Sequence, residues 1–119
     1  MDTRIVTINP EHIDTKVIEE AGRILKRGGL VAFPTETVYG LGGDALNAES
    51  SGKIYAAKGR PSDNPLIVHI ADTAEVERLA REIPQGARTL MERFWPGPIT
   101  IILKKQPCIP DEVTAGLDT

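Results

Sequence analysis

Residues 28–44 read Gly-Gly-Leu-Val-Ala-Phe-Pro-Thr-Glu-Thr-Val-Tyr-Gly-Leu-Gly-Gly-Asp. Leu30–Phe33 is a four-residue apolar run, opened by two glycines and closed by Pro34, which is how a short buried strand reads. Pro34–Asp44 holds many turn formers and no clear period, so a structured loop is expected to leave the C-terminal end of that strand. On the N-terminal side, Asp14 is placed as a helix cap, and Val17, Ile18, Ala21, Ile24 and Leu25 follow at one-face helical spacing. Lys26 and Arg27 fall in the last turn, where cations suit the helix dipole, and Gly28-Gly29 is a left-handed stop. A strand, a helix and a loop in this order point to an α/β protein.

The rest of the chain repeats the alternation. Arg4–Ile8, with Ile5, Val6 and Ile8, reads as a strand that ends at the Asn9-Pro10 turn signal. Ala48–Lys58 reads as a helix with Ile54, Tyr55 and Ala57 inward, stopped by Gly59 and followed by a stiff polar loop, Arg60–Pro65. Leu66–Ile70 reads as a second buried strand, Ala74–Ile83 as a helix capped by Thr73, and Gln85–Phe94 as a helix burying Ala87, Leu90, Met91 and Phe94. Trp95-Pro96-Gly97-Pro98 breaks that helix, Ile99–Leu103 reads as a third strand, and Pro107–Thr119 reads as irregular. One mixed sheet with flanking helices is the expected architecture.

Composition excludes several functions. The chain has 119 residues, within the usual ~100–150 of one domain. Its single cysteine, Cys108, rules out an intrachain disulfide and argues against a cysteine-based zinc site. Its apolar runs are too short to cross a bilayer, and its first residues carry no cationic region leading into an apolar stretch. A net charge of -3 and 4% aromatic residues weigh against a generally nucleic-acid-binding surface and against a base-stacking platform, while leaving room for a local basic site.

Three motifs carry candidate chemistry. In Pro34–Gly42, the hydroxyls of Thr35 and Thr37, the Glu36 carboxylate and the Tyr39 phenol are gathered within five residues at a strand end, where open α/β sheets bind ligands. Such a cluster can hold a small ligand bearing an ammonium and a carboxylate; the plainer alternative is a loop whose side chains satisfy their own backbone. Lys58-Gly59-Arg60-Pro61 sets a compact cation and a planar guanidinium on a proline-stiffened turn, suited to phosphate or carboxylate oxygens, and Asn64 adds an amide. The alternative is a pair of cations favouring a helix C-terminus. His69 stands near the end of an apolar strand, on the same face as Ile67, and is either a core histidine or a site residue. Gly40–Ala45 formally matches Gly-x-Gly-x-x-Ala, but Pro34–Tyr39 separates it from the preceding strand, so a flexible or tight-turn glycine loop is expected rather than a dinucleotide fingerprint.

Read together and in order, residues 26–42, Lys58-Gly59-Arg60-Pro61, Asn64-Pro65-Leu66 with His69, and Trp95-Pro96-Gly97-Pro98-Ile99-Thr100 resemble the Sua5/YciO/YrdC family. The likeness is collinear over nearly the whole chain. It implies an α/β fold with a twisted mixed sheet around a concave, positively charged cavity. It implies L-threonylcarbamoyladenylate synthesis, a nucleotidyl transfer from L-threonine, bicarbonate or carbon dioxide, and ATP with Mg2+. The product would then serve tRNA modification through partner proteins. Carried over residue by residue, Lys58 and Arg60 would hold phosphate and carbamate oxygens as the catalytic cations. Thr35, Thr37, Tyr39 and His69 would line the threonine pocket, and Asn64 and Thr119 would contact the nucleotide.

Thr119 matches the first residue of a family segment of the form Thr-Val-x-Val-Arg-x-Pro, whose remainder does not occur in these residues, nor does a later Ser-Ala-Asn type segment. Residues 1–119 are therefore expected to be a YrdC-like domain incomplete at its C-terminal end, inactive alone, and prone to pair with a second copy. A cytoplasmic setting without membrane attachment is expected. Two rival functions stand beside the synthase: a double-stranded RNA-binding module of the same fold, and the carbamoyl-transfer domain of hydrogenase-maturation proteins. The zinc-finger segments that accompany the latter do not occur here.

Overall fold

A computed structural model describes residues 2–59 and 61–119. Three of the expected helices form where the local signals place them. Helix α1 spans Thr15–Lys26, and the Asp14 carboxylate accepts from the Lys16 N–H as its N-cap. The chain leaves α1 through Gly28 at φ +88, a conformation that costs glycine little. Helix α2 spans Ala48–Lys58, opened by the Asn47 side chain accepting from Glu49 and closed by Gly59 at φ +61. Its Ser50 hydroxyl and Lys53 ammonium donate to the Gly28 carbonyl at 3.3 and 2.8 Å, which ties the end of α1 to the middle of α2.

Strand β1, Val31–Phe33, pairs antiparallel with β2, Gly40–Gly42, in the register Val31–Gly42, Ala32–Leu41, Phe33–Gly40. β2 lies inside the stretch expected to be a loop. Its glycines are neither turn residues nor a phosphate loop, and the reason is packing. A Cβ on Gly40 would stand 3.0 Å from Phe33 Cζ, and one on Gly42 2.8 Å from Phe33 Cε1. The Phe33 ring lies across both, filling space that their missing side chains leave.

After α2 the chain runs through a polar loop to an extended segment, 66–70. Leu66, Val68 and Ile70 are half-buried and Ile67 and His69 exposed, the alternation of a strand, but no strand partner is present among the described residues. The backbone N–H of Leu66 is taken by Val113 at 2.8 Å. Ile99–Leu103 behaves likewise, with Ile99, Ile101 and Leu103 inward. Arg4–Ile8 forms no strand, and Ile5 is 91% exposed. In all three the apolar pattern is present and the ladder is not, because strand hydrogen bonds need a second chain segment alongside.

The helix expected over Ala74–Ile83 is shorter and composite. Asp72, not Thr73, supplies the cap, accepting from Ala74 at 2.9 Å. A single 3-10 turn, Thr73–Glu75, leads into helix α3, Val76–Leu79, and then into strand β3, Ala80–Arg81, which pairs antiparallel with β4, Lys104–Lys105. Glu82, at φ 49, turns the chain toward helix α4, Gln85–Phe94. Ala87 and Met91 of α4 are buried with Val76, and Ile70, Ala80, Ile83, Trp95, Ile101 and Leu103 pack around them. Leu90 and Phe94, expected inside, are 40% and 54% exposed: Leu90 stands about 100° round the helix from Met91, and Phe94 is the last residue of the helix, and neither is among the side chains packed around Val76. Trp95 is held by its indole N–H donating to Ile99 O at 3.0 Å. In the stretch expected to be irregular, Asp111–Thr114 forms a one-turn helix, α5, that packs Val113 against α2 beside Ile54, Tyr55 and Ile109. The mixed α/β order holds, and among the described residues its named strands form two separate short antiparallel pairs.

Candidate functional site

A cleft of about 660 Å³ opens between the α1–β1–β2–α2 half and the segments 65–70 and α3. Leu41, Leu46, Ile54, Leu66 and Val68 supply apolar walls, and Thr35, Lys26, Lys58, His69, Asp44, Glu75 and Arg78 supply polar groups. Among the described residues no group of three or more His, Cys, Asp and Glu side chains is placed to share a metal ion, and no helix is long and apolar enough to cross a membrane.

Each polar group is set by a local device. Thr35 follows Pro34 at the end of β1, and its hydroxyl donates to Val38 O while accepting from the Thr37 N–H at 3.2 Å. The Thr37 hydroxyl lies 3.4 Å from that of Thr35. The loop is thus closed on Thr35, as the backbone-satisfying alternative anticipates. Thr35 nevertheless lines the cleft, so its hydroxyl belongs to both arrangements. Lys58 ends α2, on the same helical face as Ser51 and Ile54, which also line the cleft. The loop after it is anchored by Tyr55 Oη donating to Asn64 O at 2.8 Å.

His69 is oriented twice. Its Nδ1–H donates to Ile67 O at 3.2 Å, which leaves Nε2 as an acceptor in the neutral ring, and its ring meets Phe33 edge-on, with centroids 5.9 Å apart. The Asp44 carboxylate is occupied locally, accepting from Leu46 N at 2.9 Å in the turn before α2.

The structure therefore brings Thr35, Lys58 and His69 to one cleft. Thr37 and Tyr39 lie outside its lining, and Tyr39 is 76% exposed. Asn64 stands beside the cleft's edge, next to the lining residue Pro65. Thr119 is exposed and follows Asp118, whose carbonyl accepts from Lys105 N at 2.9 Å and whose carboxylate accepts from Arg81 at 2.6 Å. Arg60 lies outside the described residues. Sequence reasoning missed two cleft cations. Lys26 carried a signal only as a helix-end cation, and Arg78 was hidden in what read as one long helix. An apolar trough edged by cations, hydroxyls and an imidazole can hold an amino acid beside an anionic group.

Comparison with known proteins decides the family. The Sua5/YciO/YrdC family model, described as "Telomere recombination", matches residues 23–119. The chain belongs to the Sua5/YciO/YrdC family. It is 52% identical over 109 residues to threonylcarbamoyl-AMP synthase of Pyrococcus abyssi, covering 92% of this chain and 32% of that protein. It is 58% identical over 106 residues to threonylcarbamoyl-AMP synthase of Bacillus subtilis, covering 86% of this chain and 30% of that protein. A crystal structure of P. abyssi Sua5 complexed with L-threonine superposes with a TM-score of 0.87 at 51% identity, over 90% of this chain and 32% of that one. The chain thus spans about a third of the length of these Sua5/YciO/YrdC relatives.

Proposed function

We propose that this chain carries part of the active site of a threonylcarbamoyl-AMP synthase. The observation that carries the reading is the convergence of Thr35, His69 and Lys58 on one cleft, in a chain more than half identical to relatives of that name. The complex of P. abyssi Sua5 with L-threonine supports an amino-acid subsite.

In this reading bicarbonate takes up a proton and loses water to give carbon dioxide, and the neutral amine of L-threonine attacks its carbon, releasing a proton and forming a carbamate. A carbamate oxygen then attacks the α-phosphorus of ATP, the bond to the β-phosphate oxygen breaks, and pyrophosphate leaves. Magnesium enters with the ATP phosphates as part of the substrate. Negative charge gathers on carbamate and phosphoryl oxygens throughout, so fixed cations and hydrogen-bond donors supply the catalysis and no nucleophilic side chain is required. Lys58 and Arg60 hold those oxygens. Thr35 and the Nε2 of His69 receive the threonine hydroxyl and ammonium, with Thr37 and Tyr39 flanking them. Asn64 and Thr119 serve the nucleotide. The product passes to tRNA through partner proteins in the cytoplasm.

Residues 1–119 form the N-terminal portion of a longer domain in this reading, and the unladdered segments 66–70 and 99–103 are where it would be completed. The test uses the complete enzyme, assayed for pyrophosphate release with L-threonine, bicarbonate and ATP. Lys58→Ala with Arg60→Ala should lower the rate at least tenfold, the scale of one lost charged hydrogen bond at about 1.5–3 kcal/mol. A rate equal to wild type would overturn the assignment of both cations.

A further inference from the structure

Arg78 is one of two cleft cations, with Lys26, that the assignments above leave without a role. Helix α3 is one turn long, and its two faces are unlike. Val76 is buried against Met91 and Ala87, whereas Glu75, Arg78 and Leu79, spaced three and four apart, line the cleft. The backbone around Arg78 is held from both sides. Its carbonyl accepts from the Cys108 thiol at 3.3 Å, and the Leu79 carbonyl accepts from Gln106 N at 2.7 Å. The side chain is thus presented from a fixed base.

Its charge is not neutralised. None of the ion pairs among the described residues includes Arg78, and Glu75, one turn earlier on the same face, does not pair with it. Asp44, the other carboxylate of the cleft, is occupied by Leu46 N–H. Lys26 and Lys58 also line the cleft, with no ion-pair partner among the described residues. Three cations from three helices face one concavity that holds two carboxylates, Asp44 and Glu75, and none of the five is in an ion pair among the described residues, so positive charge is in excess there. A guanidinium among lysines suits oxygens that are shared between neighbouring phosphates, because its planar fork donates two parallel hydrogen bonds.

We infer that Arg78 binds the pyrophosphate portion of the nucleoside triphosphate from the α3 wall of the cleft, a role that rests on the synthase reading above. Glu75 opposes the same anion and limits how tightly pyrophosphate is held, which favours its release.

The test is calorimetric titration of the complete enzyme with inorganic pyrophosphate and, separately, with L-threonine. Arg78→Ala should weaken pyrophosphate binding about tenfold and leave L-threonine binding unchanged, Arg78→Lys should restore part of the loss, and Glu75→Gln should tighten pyrophosphate binding two- to fivefold. Arg78 is exposed, so the thermal midpoint of Arg78→Ala should match wild type. Pyrophosphate affinity unchanged in Arg78→Ala but lost in Lys58→Ala would overturn the role of Arg78 and leave the synthase reading standing. L-threonine binding without any saturable pyrophosphate binding by wild type would overturn it as well. Absence of L-threonine binding counts against the synthase reading instead.

Discussion

The imidazole of His69 stands edge-on to the ring of Phe33, with centroids 5.9 Å apart and planes at 76°. The same Phe33 ring covers Gly40 and Gly42 on the neighbouring strand. Two glycines with no side chain therefore set where Phe33 lies, and Phe33 packs against one side of His69, a candidate substrate-binding residue. The glycine-rich stretch thus acts on the site through packing.

That relationship predicts a coupled pair of substitutions. Gly42→Ala places a Cβ 2.8 Å from Phe33 Cε1 and should destabilise the chain by about 1–3 kcal/mol. In a Phe33→Leu background the ring is gone, and the same change should cost at least 0.5 kcal/mol less, roughly the low end of coupling between touching residues. Urea denaturation of the four variants measures it. Equal costs in both backgrounds would mean that the ring does not dictate the glycine.

Threonine should be read by its hydroxyl. Thr35 and His69 present hydrogen-bonding groups at the cleft, and a site built to pair a hydroxyl rejects an isostere without one. Calorimetry with L-threonine and L-valine should give affinities that differ by at least tenfold, and Thr35→Val should shrink the difference. Equal affinities in wild type would show that the hydroxyl goes unread.

Adjacent serines of α2 should respond oppositely. Ser50 is fully buried and donates to Gly28 O at 3.3 Å, so Ser50→Ala should cost about 1 kcal/mol. Ser51 is 2% exposed and its hydroxyl has no hydrogen-bond partner among the described residues, so Ser51→Ala should be neutral or slightly stabilising. Thermal melts that rank the two the other way would contradict the hydrogen-bond assignment.

Ala115 ends α5 at φ 54, where a Cβ is strained, and glycine is not. Ala115→Gly relieves about 1–2 kcal/mol of left-handed strain and costs roughly 0.5–1 kcal/mol in unfolded-chain entropy. A net gain of about 0.5 kcal/mol should appear as a higher denaturation midpoint, and a lower midpoint would place Ala115 in another conformation.

Ile67 and Ile102 are 61% and 78% exposed on segments whose alternation is that of strands and which form no ladder among the described residues. Extended backbone with open N–H and C=O groups and exposed isoleucines recruits a partner. Light scattering of the 119-residue chain should give a mass above that of one copy, and a longer polypeptide of the same protein should lower the tendency. Ile67→Lys with Ile102→Lys should also return the chain toward the monomer. A strictly monomeric chain at high concentration would remove this argument for a longer domain.

The amino-acid sequence by itself determined helices α1, α2 and α4, their stops, and the residues from which the family is recognised. Helix hydrogen bonds run four residues back along one chain, so Asp14, Asn47, Gly28 and Gly59 suffice to mark the ends. The mixed α/β order was legible for the same reason. Strand pairing was not, because a ladder is decided by a segment elsewhere. Gly40–Gly42 became a strand through β1 and the Phe33 ring, while the more strand-like Leu66–Ile70 and Ile99–Leu103 found no partner among the described residues. At the site, Thr35, Lys58 and His69 were visible as residue types in suggestive places. Only the tertiary structure set them around one cleft and added Lys26 and Arg78, since which cations share a concavity depends on how helices distant in sequence are laid together.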